Sequence, residues 1–251
     1  MSEVNIKTAL ISVYHKEGLE PLVKQLNELG VNLISTGGTE AYIRSLGIPV
    51  VTVDSLTGFP EILGGRVKTL HPTIFGGILG RRNLPADYTQ MAEHEIPAID
   101  LVIVDLYPFE ETLAATADEA TIIEKIDIGG ISLIRAAAKN FNDVLICASR
   151  TDYPELLSLL QTGQGSTNKV QRQLFATRAF NVTSHYDSAI FNYFNSNQSV
   201  PAFKKSIVES KALRYGENPH QQGIYYGDLD AVFDQLHGKE ISFNNLVDID
   251  A

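Results

Sequence analysis

At 251 residues, with 44% hydrophobic and 20% charged side chains, the chain has the composition of a globular protein of one large domain or one and a half ordinary ones. A formal net charge of -10 argues against a broad nucleic-acid surface, which needs clustered Lys and Arg, so any bound anion is expected to be small and locally held. No run of eighteen apolar residues could span a bilayer, MSEVNIKTAL lacks a basic segment followed by an apolar one, and Cys147 is the only cysteine, so the chain reads as cytoplasmic, without membrane partner or disulfide framework.

Short apolar runs rich in β-branched residues alternate with helical patterns from the start. TALISVY at 8–14 predicts a strand, and Leu19, Leu22, Val23, Leu26 and Leu29 mark one face of the helix that follows. VNLIST at 31–36, a helix near 39–46, VVTV at 50–53, LVIVDLY at 101–107 and DVLICAS at 143–149 continue the series. Strands apolar on both faces predict an α/β fold, a parallel sheet flanked by helices, with its site at the carboxyl ends of the strands. Residues 54–100 break into glycine- and proline-marked segments where loops and short helices are expected. From Lys169 to about Asn195 a long helix places Phe175, Ala179, Val182, Tyr186, Ile190 and Tyr193 on one stripe, which predicts burial and a subunit contact. The polar stretch NSNQSVPAF at 195–203 puts a boundary between domains at 1–198 and 199–251, the second too short for an independent core.

Four segments carry chemistry. STGGT at 35–39 follows a strand and opens a helix, a pattern that suits either an ordinary tight turn or a phosphate cradle of converging N–H groups and hydroxyls. Lys16, just past the first strand, is within reach of that turn or is solvated surface. In GGRVKTLHP at 64–72 the glycines permit unusual backbone angles, Arg66 offers a planar fork and Lys68 a point charge, while His71 reads as a structural hydrogen-bonder. Tyr107, before Pro108, is either a boundary aromatic or a hydroxyl facing the site. In IDIGGISLIRAAAKN at 126–140, Asp127 precedes a Gly129–Gly130 turn, and Arg135 and Lys139 share a helix face, which fits a solvated basic edge, a nearby anion or a lysine of lowered pKa.

Taken together and in order, SVYHKEG, STGGT, LTGFPEILGGRVKTLHP, LYPF and IDIGGISLIRAAAKN resemble the cyclohydrolase half of the bifunctional purine-biosynthesis PurH family over nearly all of 6–195. RYGENPHQQ and KEISFNNLVDIDA resemble the beginning of its second half, the AICAR transformylase domain. The resemblance implies a methylglyoxal-synthase-like fold followed by the start of a second α/β domain. It implies IMP cyclohydrolase activity, closure of formyl-AICAR (FAICAR) to IMP with loss of water, in a homodimer and without metal or organic cofactor.

What it implies for single residues follows from the substrate's groups. The 5′-phosphate lies on Thr36, Gly37, Gly38 and Thr39, helped by Ser12 and Lys16, while Arg66, Val67, Lys68 and Thr69 line the path to the base, with Asp105, Ile128 and Gly129 in the same site. By similarity Lys139 is the proton donor and acceptor, Lys68 stabilises the oxyanion on the formyl oxygen, and Asp127 and Tyr107 orient groups or relay protons. Tyr14, His15 and Asp105 stand where the family commonly has Ser, Asp and Asn, and Thr73 and Phe75 where basic residues or histidine are frequent. Two other members of the fold class fit less well: an effector-binding module needs the cradle but no proton relay, and a methylglyoxal synthase leaves GGRVKTLHP and LYPF unexplained. Arg214 and Tyr215 match a substrate-contacting pair of the transformylase. That activity uses 10-formyltetrahydrofolate and a Lys-His pair, yet no Lys-His dipeptide follows residue 200, so no formyl transfer is expected of these 251 residues alone.

Overall fold

The strands, in chain order, are β1 (Val4–Asn5), β2 (Thr8–Val13), β3 (Asn32–Ser35), β4 (Val51–Thr52), β5 (Leu101–Asp105), β6 (Leu145–Cys147), β7 (Ser166–Thr167), β8 (Ser210–Leu213) and β9 (Gly223–Tyr226). The helices are α1 (Leu19–Glu28), α2 (Gly37–Ser45), α3 (Val53–Thr57), α4 (Pro72–Leu79), α5 (Pro85–Glu93), α6 (Phe109–Ala115), α7 (Glu119–Glu124), α8 (Gly129–Lys139), α9 (Tyr153–Thr162), α10 (Lys169–Phe194) and α11 (Phe243–Asp250). The computed structural model describes residues 3–250 and divides into two units, one running to Tyr186 and the other from Asp187.

The first unit is built on a five-stranded sheet in the order β4-β3-β2-β5-β6, parallel throughout. Register explains why both faces are apolar. Leu33, Ala9, Leu101 and Leu145 lie side by side across four strands, and one residue on, Ile34, Leu10, Val102 and Ile146 form the adjacent row. Successive side chains point to opposite faces, so the first row packs with Leu22, Leu26, Leu156 and Leu160 in one core. The second packs with Ile74, Ile78, Leu133 and Ala137 in another. Each fully buried Leu or Ile contributes about 1.5–3 kcal/mol, and the two cores hold helices on both sides of the sheet.

The chain runs outward from β2 through β3 to β4, then returns to place β5 on the other side of β2. That reversal opens a crevice beyond the carboxyl ends of β2, β3 and β5, the usual ligand position in such sheets. The glycine- and proline-marked region 54–100 supplies α3, a 3-10 turn at Leu63–Gly65, α4 and α5. Helix α10 has the expected length, but burial fades along its stripe: Phe175, Ala179 and Tyr186 are buried, whereas Val182, Ile190 and Tyr193 are only partly so.

In the second unit β8 and β9 form an antiparallel hairpin, and Leu229 and Ser242 are buried. Arg214 follows β8; its guanidinium lies 4.9 Å from the centre of the Tyr215 ring and donates to the Tyr215 hydroxyl at 3.3 Å.

Candidate active site

A cavity of about 550 Å³ occupies the crevice, lined from the end of β2 (Ser12, Val13), the turn before α2, the Gly64–Leu70 loop, the end of β5 and the approach to α8. Thr36 is the N-cap of α2, and Gly37 and Gly38 open the helix, where backbone N–H groups have no intrahelical acceptor. Gly37 is left-handed, at φ 46°. The Thr39 hydroxyl is already engaged: it accepts from the Val13 N–H at 3.1 Å and donates to the Val13 carbonyl at 2.9 Å. It ties α2 to the end of β2, which leaves the N–H groups of the turn as the anion donors. Lys16 folds back onto the same strand end, its ammonium donating to the carbonyls of Val13 and Tyr14. Burial lowers its pKa below the ordinary lysine value, against the raising influence of Asp105 and Glu17.

The loop carrying Arg66 and Lys68 is closed by a bridge in which Ile62 and Val67 exchange backbone hydrogen bonds. Such a tight reversal demands left-handed backbone, met by Gly64 at φ 65° and Gly65 at φ 87°. Arg66 itself is helical (φ -66°, ψ -26°), and the turn brings both cations to the cavity. Each faces a carboxylate: Arg66 forms a two-pronged pair with Glu124, and the Lys68 ammonium lies 3.3 Å from Glu61. A Cβ on Gly37 would meet that same ammonium at 3.3 Å, so Lys68 reaches the phosphate turn.

On the opposite side Asp127 stands two residues before α8, its Oδ1 accepting from the Gly130 N–H at 2.6 Å. Burial pushes its carboxyl above the ordinary aspartate value, the Asp105 charge adds to the rise, and the backbone N–H groups of Gly130, Tyr107 and Ile131 oppose it. A carboxyl that holds its proton above the usual range, in a cleft with cations, has the character of a general acid or base. Gly130 leaves it room, since a Cβ there would stand 2.5 Å from Oδ2.

The three departures near the strand ends turn out to be neighbours. His15 donates its backbone N–H to Asp105 Oδ2 at 2.8 Å and places Nδ1 2.7 Å from the same oxygen. Both contacts fall on one carboxylate oxygen, whose lone pairs can accept two donors at once. Tyr14 packs edge-to-face on Tyr107 with centroids 5.4 Å apart, and the Lys125 ammonium sits 4.9 Å and 5.6 Å from the two ring centres. Tyr107 thus faces the site with its ring.

Of the residues named from sequence, Ser12, Lys16, Thr36, Gly38, Thr39, Arg66, Lys68, Thr69, Asp105, Tyr107, Asp127, Ile128 and Gly129 line one cavity, although they come from five separate segments. Gly37 borders it through Lys68, and Val67 closes the loop behind it. His71 does cap a helix, accepting from the Thr73 N–H at 3.2 Å. Lys139 is the departure: it is exposed in the last turn of α8, ten residues beyond Gly129 and so about 15 Å along the axis at 1.5 Å per residue. It is not among the cavity-lining residues. Arg135, on its face, lies 5.6 Å from the Phe180 ring. Glu61 and Glu124 escape the sequence reading, and Gly130 reads there as part of a turn without a place in the site; of the two glutamates only Glu61, in FPEILGG beside the glycines, carries any local signal.

An MGS-like domain model matches residues 18–132, and a model of the AICARFT/IMPCHase bienzyme matches 137–251. The Bacteroides thetaiotaomicron bifunctional purine biosynthesis protein PurH is 62% identical over 246 residues, covering 98% of this chain. The chain belongs to the PurH family. The PurH protein of Chloroflexus aurantiacus is 45% identical over 251 residues. Both alignments cover 48% of the relative, so the chain spans about half the length of the curated PurH proteins it matches. The crystal structure of ForH, 35% identical, superposes with a TM-score of 0.66 over 77% of this chain and 99% of that one.

Proposed function

We propose that this chain is an IMP cyclohydrolase that closes FAICAR to IMP with loss of water, the last step of de novo purine biosynthesis. The observation that carries the reading is the union, in one cavity, of a glycine-hydroxyl turn at a helix N-terminus, three cations and a half-buried carboxyl of raised pKa. The substrate's phosphate takes the N–H groups of Gly37 and Gly38 with Lys16, beside Thr36 and Thr39, and its ribose and base run past Arg66, Lys68 and Thr69 toward Asp127.

Ring closure sets a carboxamide nitrogen, a poor nucleophile, against the neighbouring formyl carbon. The nitrogen attacks, the formyl oxygen gains negative charge and then a proton, and the amide gives one up. The resulting hydroxyl leaves as water while the ring C=N bond forms. Orientation alone supplies an effective molarity of about 10⁵ M or more in well-aligned intramolecular reactions. Lys68 stabilises the developing oxyanion. Asp127 exchanges protons with the amide and the departing hydroxyl, and Tyr107 and Asp105 bound the space in which they move. The resemblance assigns proton transfer to Lys139 as well; because that side chain lies outside the single-chain cavity, the proton is placed on Asp127 first.

The same reading puts the enzyme in the cytoplasm as a homodimer, without metal or organic cofactor. The homodimer is supported by Val170, Leu174 and Phe180, apolar and exposed on α10. Formyl transfer from 10-formyltetrahydrofolate is left to the remaining length of the relatives. Purified chain incubated with FAICAR should produce IMP, followed by its ultraviolet absorbance; folded protein that leaves FAICAR unchanged overturns the proposal.

A further inference from the structure

The segment Lys125–Ile128 lies between α7 and α8 and carries Ile126, Asp127 and Ile128 to the cavity wall. Its first residue also places the ammonium that sits over the Tyr14 and Tyr107 rings. Lys125 and Ile126 donate their N–H groups back to Ile122 and Ile123 of α7, and the Asp127 carboxyl accepts from Gly130, which leaves the Asp127 N–H and the Lys125 carbonyl to be held from elsewhere. The backbone around it meets a single phenol from a distant part of the chain. The Tyr186 hydroxyl accepts from the Asp127 N–H at 2.8 Å and donates to the Lys125 carbonyl at 2.7 Å. One oxygen thus pins both ends of a three-residue span from 59 positions further along the sequence.

The phenol has little freedom of its own. Tyr186 is only 7% exposed on α10, and its ring stands edge-to-face on Phe109, itself 1% exposed, with centroids 6.1 Å apart. Phe109 opens α6, just beyond Tyr107. The ring is therefore held between the helix that supplies it and the segment that follows β5, and its hydroxyl transmits that rigidity to Asp127.

We propose that Tyr186 is a positioning residue of the active site: its hydroxyl holds the Lys125–Asp127 backbone so that the Asp127 carboxyl meets the reacting atoms of the substrate. The reaction itself rests on the cyclohydrolase reading, whereas the hold on the backbone does not. Carboxylate placement matters at this scale because a misplacement of about 1 Å can cost on the order of 100-fold in rate. Loss of one of several anchors is expected to cost less, about 10-fold in kcat, with KM within about twofold because the phosphate turn is untouched.

The test is Tyr186→Phe, which keeps the ring and removes one oxygen. Tyr153→Phe is the control, since the Tyr153 hydroxyl is buried without a hydrogen-bond partner among the described residues and lies outside the cavity. Amide hydrogen exchange at Asp127, measured without substrate, should quicken in Tyr186→Phe and not in Tyr153→Phe. FAICAR closure should then show the kcat loss for Tyr186→Phe alone. In an Asp127→Asn background, on residual turnover at high enzyme concentration, the same change should cost little more, because residues acting through one group are not additive. Unchanged exchange at Asp127 overturns the proposal. So does an unchanged kcat per folded enzyme, or a loss that adds in full to that of Asp127→Asn. Should the wild-type chain close no FAICAR, the functional reading falls and the exchange measurement alone decides whether Tyr186 holds the segment.

Discussion

Gly130→Ala separates the placement of the Asp127 carboxyl from every other property of the site. Gly130 is the second residue of α8 and does not sit at positive φ, so alanine can take its backbone angles. The new methyl, however, would stand 2.5 Å from Asp127 Oδ2 and 3.0 Å from both Cγ and Oδ1. Ordinary van der Waals contact begins at 3.4 Å, so the carboxyl must retreat by nearly 1 Å. The obstacle is the free end of a short side chain, and its retreat is cheap. Alanine is favoured over glycine by about 1 kcal/mol in a helix interior and by less in the first turn, which offsets part of that cost and keeps the thermal midpoint within a few degrees of wild type. Turnover is another matter: a displacement of that size is expected to lower kcat by about 100-fold, with KM nearly unchanged because the phosphate turn lies across the cavity. The assay is IMP formation from FAICAR at saturating substrate, with a melting curve on the same sample. A variant that folds normally and keeps kcat within threefold would refute the claim that Asp127 must stand where the structure puts it.

Asp127→Asn should raise the melting temperature of the substrate-free chain at pH 8. The sign follows from the raised pKa: the folded state holds this proton more tightly than the unfolded chain, so stability is lost as pH rises through the folded value. The gain of the neutral asparagine should therefore shrink as pH falls and vanish below the ordinary 3.8, and a gain that persists there would mean that burial of the charge is not its cause. Gly65→Ala adds a side chain at φ 87° and 2.8 Å from Lys68 Cε; strain of about 1–3 kcal/mol should lower the melting temperature, and the displaced ammonium should lower kcat. Glu124→Gln frees Arg66 from an exposed pair, so inorganic phosphate should inhibit at up to about fivefold lower concentration, an advantage that disappears in 1 M salt. Lys16→Ala should raise KM more than it lowers kcat, and Lys139→Ala should lower kcat less than Asp127→Asn does; the reverse order would return proton transfer to Lys139.

Much of the fold was legible because its signals are local. A buried parallel strand reads as a β-branched run whatever lies elsewhere, and the five runs became β2 to β6 with ends shifted by one or two residues. The glycines of GGRVKTLHP announced left-handed backbone for the same reason, since only the residue's own Cβ is at stake. What the sequence could not show is who meets whom. Thr39 looked like a phosphate donor, yet its hydroxyl is spent on Val13, 26 positions away. Spacing put Arg135 and Lys139 on one face and the resemblance placed Lys139 in the chemistry, but a shared face says nothing about which end of the helix the crevice adjoins. That depends on strand order, and the crevice adjoins the amino end of α8.

The ion pairs explain how an acidic chain carries a basic cluster. Arg66 and Lys68 are balanced by Glu124 and Glu61, and the Arg66 partner is 58 positions away, invisible to any reading of GGRVKTLHP alone. Both carboxylates are more than half exposed, so these pairs are weakly held and easily parted. In the proposed complex the phosphate sits at the α2 turn that Lys68 reaches, where it brings more charge and three strong acceptor oxygens to N–H donors that the two glutamates do not use. Binding is then an exchange of one set of anions for another rather than the filling of an uncompensated positive pocket. Such an exchange spares the empty site the repulsion of unpaired cations. It also rejects neutral ligands, which would have to part the same pairs without replacing their charge.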